Sequence, residues 1–268
     1  GRVLVRTPAS FAFSVLRARA ALLGDVPPTM LTGADQDAVL TEMLAGHAEG
    51  VGRDPRWPAD VPEAALTLST FRHELRDLLM RAAEAGWDGA ELVRRGERHD
   101  RPAWSAAGRV LTEYEEITRL GETTPDRGRR YDVATILDEA VLALSSWEED
   151  LPGHPRPRLR AVVHDDYQDA TLATARLLRV LADDGARLVL LGDPDIAVQT
   201  FRGAVPALLD RATTGPAGVL GGIAWPSGAA PRGGAADEVV GEFGAQPHVL
   251  PTIWRGASCS LSSRFCSA

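Results

Sequence analysis

The sequence predicts an α/β protein whose core is a parallel sheet with flanking helices. Two short apolar runs, residues 161–163 and 187–191, each end in a cluster of acidic residues. Between them, residues 172–181 place leucine and alanine at helical spacing, and Thr171 stands where a helix N-cap belongs. A strand, a helix and a strand within about thirty residues form a βαβ unit, whose two strands run parallel. Ligands of such sheets bind beyond the carboxyl ends of the strands, where both acidic clusters lie.

The remaining segments predict one further strand, a helical block and a short C-terminal strand. Residues 3–5 are apolar and are expected to join the parallel sheet. Apolar residues recur at helical spacing through residues 66–147, and Asp132 stands where the cap of the last of these helices is expected. Residues 248–250 predict a strand, whereas the serine- and cysteine-rich residues after 257 are expected to be unstructured or an effect of truncation.

The composition excludes several classes of protein. Hydrophobic residues make up 44% of the chain and charged residues 25%, as in an ordinary globular protein. No apolar run reaches the roughly eighteen residues that a membrane span needs. Cys259 and Cys266 argue against a disulfide scaffold, lack the partners of a zinc site and suit a reducing cytoplasm. The net charge of −8 provides no general attraction to nucleic acid, so DNA contacts would need local arginines and stacking aromatic residues.

The two acidic clusters resemble motifs of one helicase family. Residues 165–169, DDYQD, are similar to the Walker B box of superfamily 1 helicases of the UvrD/RecB type. Residues 192–195, GDPD, and 201–204, FRGA, resemble the next motif of the same helicases. The order of the boxes, their spacing and the strand before each one all fit. The resemblance implies a RecA-like P-loop NTPase core, which would use ATP and Mg²⁺ to move along single-stranded DNA.

The resemblance assigns roles on the ATP side of the site. Asp165 matches the Walker B acid that holds magnesium, usually through water. Asp166 stands where the family has the glutamate that orients the attacking water, and its side chain is one methylene shorter. Gln168 would couple the phosphate to the adjoining motif, and we expect it to take part in catalysis with Asp166. Asp193 and Arg202 are assigned to cofactor binding.

The resemblance also assigns residues to DNA and to the second core. Thr7 opens a segment similar to motif Ia, which touches the DNA backbone, so Thr7 is expected to hold a phosphate. Phe201 keeps the aromatic residue that stacks on a base, an interaction worth roughly 1–3 kcal/mol. Arg255 falls in a segment similar to motif IV, whose arginine reaches the γ-phosphate. Ile196 stands where the family has a glutamine that senses the γ-phosphate. This difference and the short side chain of Asp166 together predict a weak or auxiliary motor.

One feature of the composition bears directly on the ATP site. All 29 basic residues are arginine, and the chain has no lysine. A Walker A loop needs its lysine to reach the β- and γ-phosphates. The chain is therefore expected to be a fragment that runs from motif Ia to motif IV, with the phosphate loop before Gly1. Alone, it is expected to be inactive as an ATPase.

The resemblance divides the chain into four segments. Residues 1–50 would begin the RecA-like core, 51–150 would form an inserted all-helical subdomain, and 151–214 would return to the core. Residues 215–268 would form a Gly/Pro-rich linker and the start of a second core. The motifs and the arginine-rich composition further resemble AdnA-type subunits of actinobacterial AdnAB helicase–nucleases. That implies 3′–5′ movement, an AdnB-like partner subunit, and the processing of DNA double-strand ends for recombinational repair.

Other interpretations remain open. The chain could be a binding module that has an ATPase-like fold and grips only DNA or a partner subunit. His164 and Asp165 could form the metal pair of an HD-type phosphohydrolase, although such pairs lie on helices. Asp165 and Asp193 could also merely cap the strands of an unrelated α/β protein. An arginine-rich helix face could meet duplex DNA, although such faces are usually only solvated; its members are Arg94, Arg95, Arg98 and Arg101.

Overall fold

A computed structural model of the chain describes residues 3–120, 128–133, 135–200, 203–213, 243, 245–249 and 264–267. Its helices are α1 (Pro8–Leu23), α2 (Gly33–Ala48), α3 (Glu63–Leu66), α4 (Ser69–Glu84), α5 (Gly89–Arg98), α6 (Pro102–Leu120), α7 (Ile136–Ser145), α8 (Trp147–Asp150), α9 (Leu172–Asp183) and α10 (Ala207–Arg211). Its strands are β1 (Thr29–Met30), β2 (Arg130–Tyr131), β3 (Ala161–His164), β4 (Arg187–Gly192), β5 (Gln246–Val249) and β6 (Arg264–Ser267). The chain divides into a sheet unit, Gly1–Val15 with Leu137–Ala268, and a helical unit, Leu16–Ile136.

The predicted βαβ unit is confirmed in the sheet unit. β3 and β4 run parallel, with Ala161 opposite Arg187 and His164 opposite Leu190. The Thr171 hydroxyl accepts a hydrogen bond from the Thr174 backbone N–H and so caps α9 as predicted. Apolar residues of α9 and β4 share one core, which contains Ala175, Leu178, Ala182, Leu188 and Leu190.

The sheet is mixed, which corrects the prediction of a purely parallel sheet. β6 lies between β4 and β5 and pairs antiparallel with both of them. The prediction that the C-terminal residues are unstructured is therefore wrong for β6, whereas Cys259 lies outside the described residues. Backbone groups along a free strand edge need partners, and β6 supplies them to β4. The predicted strand near residue 248 is confirmed as β5.

The predicted N-terminal strand is wrong. Residues 3–5 form no strand in the structure, and Val3, Leu4 and Val5 are 86%, 50% and 94% exposed. A strand is stable only where a neighbour satisfies its backbone and an apolar face is covered, and these three residues have neither. The following helix α1 forms as expected and packs Val15 against α7 and α9 in a second core of the sheet unit.

The helical unit is built around α2, α4, α5 and α6. Thr32 and Asp35 form a capping box at the start of α2. α5 and α6 approach so closely that a Cβ added at Gly96 would lie only 2.4 Å from the Ser105 Oγ. The shared core contains Leu40, Leu44, Leu75, Leu79, Leu92 and Val110. The two-residue parallel pair β1–β2 also belongs to this unit, so the expectation of an all-helical insertion is wrong in that detail.

The last predicted helix starts later than expected. α7 begins at Ile136, whose N–H donates to the Asp132 carbonyl at 3.0 Å. The Asp132 Oδ2 accepts hydrogen bonds from the Gln36 side chain at 2.7 Å and the Tyr114 hydroxyl at 3.1 Å. Among the described residues, no helix is both long and apolar enough to cross a membrane. The four-segment division of the chain stays a prediction.

Candidate functional site

The two acidic clusters lie at the same edge of the sheet. Because β3 and β4 run parallel, the turns that follow His164 and Gly192 leave the sheet on the same side. A 3₁₀ turn, Tyr167–Asp169, follows β3, and Asp193 caps a second 3₁₀ turn after β4 with a hydrogen bond from the Asp195 N–H. We call residues 165–170 the acidic turn and residues 193–205 the second loop.

Gln168 joins the acidic turn to the second loop. Its side chain is buried, and its Oε1 accepts a 3.1 Å hydrogen bond from the Asp193 backbone N–H. Its Nε2 lies 3.4 Å from the Asp166 Oδ1, so the amide contacts both acidic clusters. Gly192 leaves room for this bridge, since a Cβ there would lie 2.9 Å from the Gln168 Oε1. The predicted coupling role of Gln168 therefore has a direct physical path.

Two further residues of the acidic turn hold the second loop. The Asp169 Oδ1 accepts hydrogen bonds from the backbone N–H groups of Val198 at 3.1 Å and Gln199 at 3.0 Å. The Ala170 carbonyl accepts one from the Val205 N–H at 2.9 Å. Gln168, Asp169 and Ala170 thus anchor the start, middle and end of the second loop. The sequence offers no signal for the Ala170 contact, because only its backbone takes part.

The backbone at Asp166 explains a departure from the family motif. Asp166 has φ 54° and ψ 44°, which is the left-handed region. Besides glycine, aspartate and asparagine are the residues that enter this region most readily, because their short polar side chains can bond locally. The Asp166 N–H donates to the Asp165 Oδ1 at 3.0 Å. An aspartate therefore suits this backbone better than the longer glutamate expected from the motif.

Asp165 and Asp166 are both exposed at the end of β3. Among the described residues, no group of three or more histidine, cysteine, aspartate and glutamate side chains is arranged to hold a metal ion. The two exposed carboxylates of Asp165 and Asp166 suit Mg²⁺, which protein sites commonly hold through one or two carboxylates together with substrate phosphates and water. The metal pair of an HD-type centre lies on helices, whereas His164 ends strand β3 and Asp165 follows it.

His164 lies beside these carboxylates at the end of β3. Its ring contacts Tyr167 edge to face, with centroids 5.5 Å apart. Burial lowers the pKa of His164, while a backbone hydrogen bond at Asp165 and the charges of Asp165 and Asp166 oppose this shift. The lowered pKa of His164 favours the uncharged imidazole beside the acidic turn.

The other predicted site residues are separate from this bridge. Phe201, Arg202 and Arg255 lie outside the described residues. Thr7 is exposed at the start of α1, where its Oγ1 accepts a 3.2 Å hydrogen bond from the Ser10 N–H. Its hydroxyl proton remains available to a phosphate oxygen. Ile196, in the second loop, is 47% exposed.

In a parallel α/β sheet, ligands bind beyond the carboxyl ends of the strands, which is where the two linked acidic turns lie. The model of the UvrD/REP helicase N-terminal domain matches residues 2–215. The chain therefore belongs to the UvrD/REP helicase family, whose members are superfamily 1 helicases that bind DNA and use ATP with Mg²⁺. No curated protein matches the chain.

Proposed function

We propose that the chain forms part of an ATP-driven DNA motor, in which the acidic turn serves the nucleotide and the second loop serves single-stranded DNA. The observation that carries this proposal is the Gln168 bridge, which ties Asp166 to Asp193 at the ends of parallel strands. Family membership supports both ligands. A bridge between the two loops allows occupancy of one to affect the position of the other.

On the nucleotide side, Asp165 holds the ion that accompanies ATP. Magnesium neutralises charge that develops on the phosphates during transfer to water. Asp166 accepts a hydrogen bond from the attacking water and orients it, and Gln168 fixes the Asp166 carboxylate. The Asp193 backbone N–H donates a hydrogen bond to the Oε1 of the same Gln168 side chain. Arg202 and Arg255 would supply positive charge, as the family motifs imply.

A hydrolytically weak motor subunit is the second candidate function. Ile196 cannot donate or accept the hydrogen bonds of the glutamine that the motif has there, and its side chain is 47% exposed. Asp166 is shorter than the usual glutamate. Such a subunit would bind DNA beside a more active partner of the AdnB type and act on DNA ends in double-strand-break repair. The resemblance of the motifs to AdnA-type subunits is the support for this partner.

Binding of a labelled single-stranded oligonucleotide to the chain tests the DNA side of the proposal. Fluorescence anisotropy should show saturable binding, and Phe201→Ala should weaken it by roughly 1–3 kcal/mol, the usual value of one stacked base. Val198→Ala, a change at a 63% exposed apolar residue of the same loop, is the matched control. An unchanged affinity in Phe201→Ala, with circular dichroism showing a folded chain, would remove the DNA role.

Phosphate release tests the nucleotide side. The chain has no lysine for a Walker A loop, so we expect no release above background, with or without single-stranded DNA. An Asp165→Ala variant is the control for contamination. Release by the wild-type chain that disappears in Asp165→Ala would show that the phosphates are held by residues other than a Walker A loop.

A further inference from the structure

The helical unit contains a cavity of about 300 Å³ that is lined by three arginines from different segments. Arg56 lies in the loop between α2 and α3, Arg101 lies between α5 and α6, and Arg109 lies on α6. Arg109 donates a hydrogen bond from its Nη1 to the Pro55 carbonyl at 2.9 Å, which holds the loop against α6. One of the arginines that line the cavity therefore also joins this loop to α6.

These three arginines form no ion pair with a carboxylate in the described part of the chain. Within the described residues, no aspartate or glutamate oxygen lies within 4.0 Å of a side-chain nitrogen of Arg56, Arg101 or Arg109. Other arginines of the same unit are paired: Arg94 and Arg95 both contact Glu91 at 2.7 Å, and Arg53 contacts Glu116 at 2.9 Å.

Two acidic residues moderate the charge of the cavity. Glu97 and Asp100 also line it, so three positive and two negative side chains leave one net positive charge. That balance favours an anion of low charge and disfavours a polyphosphate, whose several charges would be repelled by the two carboxylates.

The backbone around the cavity is held in an unusual conformation. Arg56 has φ 56° and Asp100 has φ 50°. They are two of the three non-glycine residues with positive φ in the described part of the chain, and the third is Asp166 in the acidic turn. At Asp100 this conformation ends α5, since the Asp100 N–H donates to the Glu97 carbonyl at 3.4 Å and the Arg101 N–H donates to the Gly96 carbonyl at 2.7 Å. The Arg56 N–H donates to the Asp54 Oδ1 at 2.8 Å, which fixes the turn that carries Arg56.

We propose that this cavity binds a single phosphate group, independently of the proposed motor function. Guanidinium groups offer planar pairs of N–H donors that match phosphate oxygens, and three arginines from separate segments line this cavity. A water occupies about 30 Å³, so the cavity has room for a phosphate group with several waters. Free inorganic phosphate and a backbone phosphate of DNA present the same chemistry to these arginines.

Titration of the chain with sodium phosphate, against sodium chloride at equal ionic strength, tests the proposal. The side-chain Nε–Hε signals of Arg56, Arg101 and Arg109 should shift with one common saturation curve in NMR spectra, while those of Arg81 and Arg98 should not. Arg81 and Arg98 are exposed residues of the same unit outside the cavity. No saturable shift, or equal shifts at all five arginines, would overturn the proposal without any variant.

Paired variants give the second measurement. Arg56→Gln with Arg101→Gln should weaken phosphate binding about tenfold or more, because charge-assisted hydrogen bonds are lost. Arg81→Gln with Arg98→Gln makes the same change in net charge and should leave binding unchanged; equal losses in both pairs would contradict the proposal. Binding of a short DNA duplex then distinguishes free inorganic phosphate from a DNA backbone phosphate as the ligand. If the first pair also weakens duplex binding and phosphate competes, the ligand is a backbone phosphate; if duplex binding is unaffected, it is free phosphate.

Discussion

Removal of the Asp169 carboxylate should loosen the second loop without disturbing the sheet. In Asp169→Ala, the N–H groups of Val198 and Gln199 lose the acceptor that holds them at 3.1 and 3.0 Å. Gln168 and Ala170 still anchor the two ends of the loop. The variant therefore isolates the middle anchor, which precedes the predicted base-stacking residue Phe201.

The expected change in the free energy of local opening follows from the loss of these two hydrogen bonds. Each contributes a net stability of about 0.5–1.5 kcal/mol, so the free energy of local opening should fall by about 1–3 kcal/mol. Water can replace the lost acceptor most easily at Val198, which is 63% exposed, whereas Gln199 is half-buried. Since about 1.4 kcal/mol corresponds to a factor of ten, the two amides should exchange about 5- to 150-fold faster.

Amide hydrogen exchange measured by NMR checks this expectation residue by residue. Asp169→Asn keeps an acceptor oxygen and should give intermediate rates. Asp195→Ala removes the same charge from an exposed position on the same loop and should change the rates at Val198 and Gln199 little. Unchanged exchange in Asp169→Ala, or equal acceleration along β4, would refute the view that this carboxylate specifically orders the loop.

Three further changes test other parts of the structure. Asp166→Ala should be less stable than Asp166→Gly by about 1 kcal/mol or more in urea unfolding, because residue 166 has left-handed backbone. Equal stabilities would contradict that assignment. Burial lowers the pKa of His164 below 6.5, so the unfolded chain binds more protons than the folded chain just below this pH. The unfolding free energy of the wild type should therefore fall relative to His164→Phe as the pH drops below 6.5, and parallel pH profiles would contradict this. Gly96→Ala should lower the melting temperature, since its Cβ would lie 2.6 Å from the Ser105 backbone nitrogen and overpacking costs about 1–3 kcal/mol. Gly33→Ala meets nothing within 4 Å and is the control; equal melting temperatures would show that α5 and α6 can separate freely.

Local patterns in the sequence were sufficient to predict the βαβ unit. The apolar runs of β3 and β4 and the cap at Thr171 depend only on neighbouring residues, and the structure confirms them. The catalytic role of Gln168 stays a prediction, although its side chain contacts both acidic clusters. The site roles of Asp165 and Asp193 stay predictions, although both residues lie where the strand pattern places them.

The errors arise where long-range pairing decides the structure. Residues 3–5 have a strand-like pattern, but a strand also needs a neighbour, and pairing partners are not encoded locally. β6 shows the converse, since its sequence carries little strand signal and the free edge of β4 accepts it. The left-handed backbone at Asp166 was equally inaccessible, because aspartate occurs in many other conformations. The arginine cavity draws its three guanidinium groups from positions 56, 101 and 109, which no single motif joins.

If the acidic turn holds the metal ion of a bound nucleotide, Mn²⁺ in place of Mg²⁺ should broaden the NMR signals of this turn. With ATP present, the NMR amide signals of residues 165–169 should broaden first and more strongly than with Mn²⁺ alone. Asp165→Ala should abolish this broadening, and Asp195→Ala should preserve it. Broadening that is centred elsewhere, or that persists in Asp165→Ala, would contradict the assignment of the nucleotide site to the end of β3.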